Sequence, residues 1–117
     1  VYVPAPTTLQ SGRSSLGELL RRQPDTDAVF CSSDLLALGV LIEARVRGLQ
    51  VPGQLAVVGF GDLEYAAALD PALTTVHIRS AEIGRQAAQF IVDRAEGRQP
   101  AQRVVDIGFE LVERASG

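Results

Sequence analysis

The stretch from Asp27 to Asp62 limits the folds open to this chain, because two short apolar runs flank one long helical run. The apolar runs cover 28–31 and 55–60 and show no alternation with polar residues. Between them Leu35 to Arg47 has a helical pattern, and Gly48 follows where a left-handed C-cap is favourable. This order indicates a βαβ unit, since uninterrupted apolar strands are typical of parallel sheets. We therefore predict an α/β fold built on a parallel, doubly wound sheet.

Small and polar residues follow each predicted strand, at the edge where parallel sheets bind their ligands. Ser32 to Asp34 follow the first strand, and Gly61 with Asp62 follows the second. Val1 to Val3 is predicted to be the end of a further strand, and the loop after it contains Thr7. Hydroxyls and backbone amides at such an edge suit a ligand rich in hydroxyl groups. The candidate ligand-binding residues are Thr7, Ser33, Asp34, Gly61 and Asp62.

Two of these candidates also have a purely structural explanation. Asp34 precedes the helical run, where a carboxylate is favourable as the N-cap. Gly61 fits a backbone turn, which glycine adopts readily. The sequence leaves both explanations open beside ligand binding.

The remaining elements continue the α/β pattern. In chain order we predict a helix over 12–22 capped by Ser11, a short helix or turn over 63–69, a strand over 74–78, a helix over 81–96 capped by Ser80, and a strand over 105–111. Apolar and polar residues alternate in the last strand, which favours an edge position with one face in solvent. Residues 114–117 are expected to form a polar tail.

The helix over 35–47 is apolar almost all round, which is typical of a helix buried on more than one side. The sheet covers one arc, and in so small a domain the other arc is expected to meet a second chain. The alternative is burial under loops of the same chain. The predicted dimer interface consists of Leu36, Leu38, Val40, Leu41 and Leu69.

Composition bounds the class of protein. The chain has 117 residues, 46% of them apolar, which suits one small domain with a core of its own. Its net charge is −3 and its arginines are scattered, so we expect no direct DNA contact from these residues. The single Cys31 is expected to be a core residue. The chain begins with Val1 and has neither signal-peptide nor membrane-helix pattern, and we expect this to be a cut end.

Catalytic constellations are not recognisable in the sequence. His77, the only histidine, lies inside a predicted strand, where a structural or surface role is expected. Gly59 and Gly61 form a GxG without the third glycine of a dinucleotide fingerprint. Asp62 and Glu64 stand two residues apart in a turn, which is no evidence for an acid–base pair. We predict a protein that is not an enzyme and uses no cofactor or metal.

Three segments in chain order carry a resemblance to a known family: AVFCSSDLLALG at 28–39, GLQVPGQLAVVGFGD at 48–62 and PALTTV at 71–76. Over roughly residues 5–116 the chain resembles the effector-binding core of LacI/GalR-type transcriptional regulators. The resemblance implies a periplasmic-binding-protein-like fold, with 1–117 as the C-terminal part of the effector-binding and dimerisation domain. It implies a cytoplasmic homodimer that binds a small effector and, through an N-terminal helix-turn-helix outside this chain, operator DNA. No membrane contact is implied.

The resemblance also concerns the helix near 80–97, which in such regulators crosses to the other subdomain. Its stripe of Ile83, Ala87, Phe90 and Ile91 is unfavourable in water, and an isolated helix of this length is marginal. We therefore expect this helix to pack on a neighbouring chain or to be displaced, with hinges at 79–80 and 98–102.

The chain departs from the family pattern at three candidate positions. Ser33 stands where such regulators have an effector-contacting Asn, and Gly61 stands where they have a ligand-binding Asp. Thr7 stands where an aromatic residue often stacks on the ligand. The GFGD segment looks like the gluconate-type branch, so the expected effector is a sugar or a sugar acid. Arg13 is the candidate cation for an acid, and its alternative is a solvated helix arginine.

A periplasmic sugar-binding protein of a transport system is the competing class, because it has the same fold. Transport receptors of this kind are usually monomers, so the oligomeric state discriminates between the two. A hydrolase or dehydrogenase, the third class, lacks a recognisable motif in this sequence.

Overall fold

The computed structural model describes residues 1–99 and 104–117. In chain order these residues form helix α1 (Leu9–Arg22), strand β1 (Ala28–Phe30), helix α2 (Asp34–Val46), strand β2 (Ala56–Phe60), a 3-10 helix (Glu64–Ala68), strand β3 (Thr74–Ile78), helix α3 (Ser80–Ala95) and strand β4 (Phe109–Val112). The predicted α/β class is confirmed.

The four strands form one sheet in the order β1-β2-β3-β4. β1 and β2 are parallel, with Ala28 opposite Ala56, and β2 and β3 are parallel, with Val58 opposite Thr74. The predicted βαβ unit is therefore confirmed. The expected strand at 1–3 does not form, and these residues have no place in the sheet.

The final strand is shorter than predicted. It begins at Phe109, because Gly108 has a φ of +69° and its N–H donates to Asp106 Oδ1 at 2.8 Å. This local turn interrupts the alternating run that began at Val105.

α1 begins three residues before the predicted start. Thr8 is the N-cap, and its Oγ1 accepts from Ser11 N at 3.0 Å. Ser11 Oγ accepts in return from Thr8 N at 2.7 Å, which completes a capping box. The assignment of Ser11 as N-cap was therefore wrong, because Ser11 is the reciprocal partner at the third helical position.

α1 and α2 pack with their backbones in contact at two glycines. A Cβ on Gly12 would lie 2.4 Å from Leu36 O, and a Cβ on Gly39 would lie 2.3 Å from Leu9 O. No side chain fits at either position without moving a helix. α1 therefore covers part of the second apolar arc of α2, the arc expected to meet another chain.

This packing bears on the predicted dimer interface. Leu36, Val40 and Leu41 are only 6%, 5% and 8% exposed and belong to the core cluster of this chain. Because α1 of the same chain packs on this side of α2, these three residues are buried within the chain, and their contact with a second chain stays a prediction that burial does not favour. Leu38 and Leu69 are half-buried, and Leu69 packs against the core. Cys31 is buried in the same core, and burial raises the pKa of its thiol to about 11.

The expected polar tail is built into the sheet instead. Ser116 is fully buried and bridges Val57, the second residue of β2, and Thr74, the first residue of β3. Its carbonyl accepts from Val57 N at 2.7 Å, its hydroxyl donates to Val57 O at 2.6 Å, and the hydroxyl accepts from Thr74 N at 2.9 Å. Ser116 therefore satisfies backbone N–H and C=O groups of Val57 and Thr74 that are not paired between β2 and β3.

The chain divides into two compact units, one of Val1–His77 with Leu111–Gly117 and one of Ile78–Glu110. In the second unit no residue of α3 is buried, and Ile91 is 71% exposed. Within its apolar stripe Ile83, Ala87 and Ile91 are exposed and Phe90 is half-buried, and packing of this helix on a neighbour stays a prediction. The N-cap of α3 is Arg79, whose side chain makes no capping hydrogen bond, so Ser80 does not cap this helix.

The expected hinge at 98–102 falls partly outside the described residues, which omit 100–103.

No helix within residues 1–99 and 104–117 has both the length and the apolar character needed to cross a membrane.

Candidate functional site

The turn after β1 places Ser33 at the N-terminus of α2. Ser33 is the N-cap, and its Oγ accepts from Leu36 N at 3.3 Å. Asp34 is the first helical residue, so the explanation of Asp34 as the N-cap was wrong. Ser33 is half-buried, and its hydroxyl has no acceptor among the described residues. That hydroxyl is thus able to donate to a ligand while it caps the helix.

Asp34 is fully buried, and each carboxylate oxygen has a partner inside the chain. Oδ1 accepts from Thr75 Oγ1 at 2.6 Å, and Oδ2 accepts from Leu63 N at 2.7 Å. A direct contact between Asp34 and a ligand does not fit this burial. Asp34 instead links α2 to β3 and to the loop after β2.

Gly61 directly follows β2 in a conformation that favours glycine. Its φ is +128°, and its N–H donates to Val76 O at 2.9 Å across the β2–β3 ladder. The explanation of Gly61 as a backbone turn therefore agrees with the structure. Its half-buried backbone lies at the carboxyl end of β2, so a ligand contact there stays a prediction.

Asp62 also has a positive φ, +53°, and its carboxylate is already paired. Oδ1 accepts from Arg114 Nη2 at 2.7 Å, and Oδ2 lies 3.1 Å from His77 Nδ1. The Arg114 guanidinium, with a smaller contribution from His77, holds the pKa of Asp62 below its ordinary value. Arg114 further donates to Leu73 O at 2.8 Å, which fixes the guanidinium in place.

Sequence reasoning missed Arg114 and gave His77 no partner. Arg114 lies 52 residues after Asp62 and was placed in the tail. A lone arginine in a polar segment carries no signal of its partner in the sequence.

Arg13 does not lie free for a ligand. Its Nε and Nη2 lie 3.1 and 3.0 Å from Glu43 Oε2 on α2. Arg47 holds the other oxygen of Glu43 at 2.9 Å, and Arg47 first and Arg13 second keep the pKa of Glu43 below its ordinary value. The ion pair with Glu43 gives Arg13 a partner within the chain while its side chain stays 35% exposed, and its contact with an acidic ligand stays a prediction.

Thr7 is half-buried just before the N-cap of α1. No hydrogen bond among the described residues joins it to Ser33, Gly61 or Asp62. The structure thus brings Ser33, Gly61 and Asp62 to adjacent strand ends and leaves the role of Thr7 untested.

A cavity of about 520 Å³ lies along β1 and reaches Ser32, the residue before Ser33. It is lined mainly by apolar residues, including Val1, Tyr2, Val3, Leu16, Phe30 and Val40. Thr7, Ser33 and Gly61 are not among the residues that line this cavity. No three His, Cys, Asp or Glu side chains in the described ranges converge as a metal site.

A parallel sheet with small polar residues at its carboxyl edge is the architecture of open α/β domains that bind ligands. The profile of the family described as "Periplasmic binding protein-like domain" matches residues 2–117, and the chain belongs to this family.

Its relatives are transcriptional regulators. The HTH-type transcriptional regulator GntR of Pseudomonas aeruginosa is 37% identical over 116 residues, which are 99% of this chain and 34% of that protein. The HTH-type transcriptional regulator CelR of Thermobifida fusca is 39% identical over 112 residues, 94% of this chain and 32% of that protein. The chain thus spans about a third of the length of the curated relatives it matches.

Solved structures that resemble this chain are also transcriptional regulators. The transcription regulator GntR from Chromobacterium violaceum superposes with a TM-score of 0.87 at 42% identity, over 97% of this chain and 42% of that one. A CelR–cellobiose complex gives 0.88 at 38% identity, over 94% of this chain and 34% of that one. A LacI-type regulator from Bifidobacterium animalis gives 0.84 at 35% identity, over 93% and 39%. The resemblance to LacI-type regulators is confirmed.

Proposed function

We propose that this chain is the C-terminal part of the effector-sensing and dimerisation region of a LacI-type transcriptional regulator. The observation that carries the proposal is the parallel pairing of β1 with β2, after which Ser33 and Gly61 follow neighbouring strand ends. In open parallel sheets this edge is where ligands bind. The similarity to transcriptional regulators supports an effector-binding role for such a site.

The effector class that fits is a sugar or a sugar acid. A relative at 38% identity was solved with cellobiose, which supports a saccharide here. Ser33 and the backbone of Gly61 offer neutral hydrogen-bonding groups, and Asp62 is neutralised by Arg114. Because Arg13 is engaged by Glu43, these residues present no free cation to a carboxylate and favour a neutral sugar.

The mechanism is allosteric and non-enzymatic. A ligand that binds between two subdomains shifts their relative orientation, and effector and operator affinities then change by the same factor. Operator DNA is bound by a helix-turn-helix that is not part of residues 1–117, in a cytoplasmic protein. His77 contacts Asp62, but no hydroxyl or thiol in the described ranges is hydrogen-bonded to it as a nucleophile.

The dimer is proposed to form through the outer face of α2. Val46 is 68% exposed and Ile42 is 36% exposed, so this face remains apolar after α1 has packed. Leu38 and Leu69 are half-buried and are retained as candidates. The competing class, a periplasmic transport receptor, has the same fold, but the regulator relatives favour the first proposal.

Calorimetric titration of the full-length protein with cellobiose and with gluconate tests the proposal. Ser33→Ala is expected to weaken binding by about 0.5–1.5 kcal/mol, the net contribution of a neutral hydrogen bond. Thr7→Ala tests the third candidate in the same way. Ser14→Ala is the matched control, because Ser14 is an exposed serine within α1 and is not one of the candidate residues. Equal affinities for wild type, Ser33→Ala and Thr7→Ala would move the site elsewhere.

A further inference from the structure

One buried carboxylate holds three elements together beside the proposed effector site. Asp34, the first residue of α2, is fully buried. It accepts from the hydroxyl of Thr75 on β3 at 2.6 Å and from the backbone N–H of Leu63 at 2.7 Å. A buried charge is unfavourable unless its oxygens are hydrogen-bonded, and both are. The N-terminus of α2 adds a favourable dipole.

The sheet leaves space for this carboxylate at one position. A Cβ on Gly59 would lie 2.3 Å from Asp34 Oδ1 and 3.0 Å from Leu73 Cδ2. β2 therefore has no side chain where Asp34 enters. The close approach at Gly59 and the two hydrogen bonds leave the Asp34 carboxylate little room to move, which is the condition for one side chain to fix the geometry of its neighbours.

The loop after β2 depends on this network at two successive amides. Leu63 N donates directly to Asp34, and Asp62 N lies 3.4 Å from the same Thr75 hydroxyl that donates to Asp34. Gly61 and Asp62 have φ values of +128° and +53°. A non-glycine residue with positive φ is uncommon, so this conformation needs support from its surroundings.

We propose that Asp34 is a positioning residue which, with Thr75, fixes the Gly61–Leu63 loop in the conformation that meets the effector. Asp34 does not touch the ligand, because it is buried and both oxygens are occupied. The ligand part of this inference rests on the proposed function, whereas the loop part does not.

Amide hydrogen exchange of the ligand-free, full-length protein tests the loop part. In Asp34→Asn and Thr75→Val, peptides covering 61–65 are expected to exchange about tenfold faster or more, as fits the loss of a hydrogen bond to a charged acceptor. Peptides covering 55–58 report the sheet and are expected to change much less. Thr75→Ser keeps the hydroxyl and is expected to restore slow exchange, and it remains informative if Asp34→Asn does not fold.

Tyr65→Phe is the matched control. The Tyr65 hydroxyl is buried without a hydrogen-bond partner among the described residues, and burial first and the charge of Asp34 second raise its pKa. It shares the surroundings of Asp34 but makes no bond to the loop, so its removal is expected to leave exchange at 61–65 unchanged.

Binding of cellobiose and gluconate to the same variants tests the ligand part. Faster exchange confined to the loop, together with at least tenfold weaker binding of the sugar that wild type binds, supports the proposal. Equal acceleration of loop and sheet overturns it, and so does a released loop with unchanged affinity. If wild type binds neither sugar, the proposed effector class fails, and the exchange data still decide whether Asp34 positions the loop.

Discussion

The guanidinium of Arg114 lies 2.7 Å from the carboxylate of Asp62 and so ties the C-terminal tail to the loop after β2. Both side chains are 19% exposed, and Arg114 also donates to Leu73 O. The pair therefore connects the proposed effector edge with the start of β3.

The first prediction concerns this pair and pH. Because Arg114 lowers the pKa of Asp62 in the folded state, the pair stabilises the fold above the ordinary Asp pKa of 3.8. That stabilisation is lost as the pH falls through the lower folded pKa. Arg114→Met is expected to reduce the free energy of unfolding by about 1 kcal/mol at pH 7 and by less near pH 3. Urea unfolding at both pH values measures this, and an equal loss at both would contradict it.

The second prediction concerns Ser116. Ser116→Ala removes a donor to Val57 O and an acceptor for Thr74 N, both inside the sheet. Leaving buried backbone groups unpaired is expected to cost about 1–3 kcal/mol in chemical denaturation. The exposed Ser32→Ala is the control and is expected to stay within about 0.5 kcal/mol of wild type. A Ser116→Ala variant as stable as the control would mean that the tail is not part of the sheet.

The sequence predicts features that depend on neighbouring residues and misses contacts between residues that are far apart along the chain. Strand, helix and strand over 28–60 are visible because each element has its own local period, and the parallel sheet follows from them. Asp34 and Thr75 are 41 residues apart, and neither carries a mark of its partner. An Asp before a helix looks like a cap, and only the folded position of β3 makes it a buried link.

The error on α2 has a similar origin. Its two apolar arcs were evident, but a period does not show what covers each arc. The cover depends on Gly12 and Gly39, whose effect arises only where the two helices cross. Arg13 was proposed to contact a ligand for the same reason. Its partner Glu43 lies 30 residues away on the other helix, and the sequence does not show this pairing.

The third prediction tests this helix contact. Gly12→Ala places a Cβ 2.4 Å from Leu36 O and is expected to destabilise the protein by about 1–3 kcal/mol through overpacking. Gly84→Ala in α3 is the matched control, because nothing lies within 4 Å of its Cβ position. In a helix interior this change is expected to stabilise by about 0.5–1 kcal/mol. Thermal unfolding that shifts both variants in the same direction would argue against close α1–α2 packing.

The fourth prediction concerns the proposed dimer. Val46 is 68% exposed at the end of α2, and Val46→Glu is expected to convert a dimer to a monomer with little loss of stability. Val40→Glu is instead expected to unfold the chain, because Val40 is only 5% exposed and its charge would be buried. Val104→Glu is the control, because Val104 is an apolar residue that is 82% exposed and lies outside both α2 and α3. Sedimentation of the full-length variants separates these outcomes, and a Val46→Glu protein that still sediments as a dimer would exclude this face of α2 from the interface.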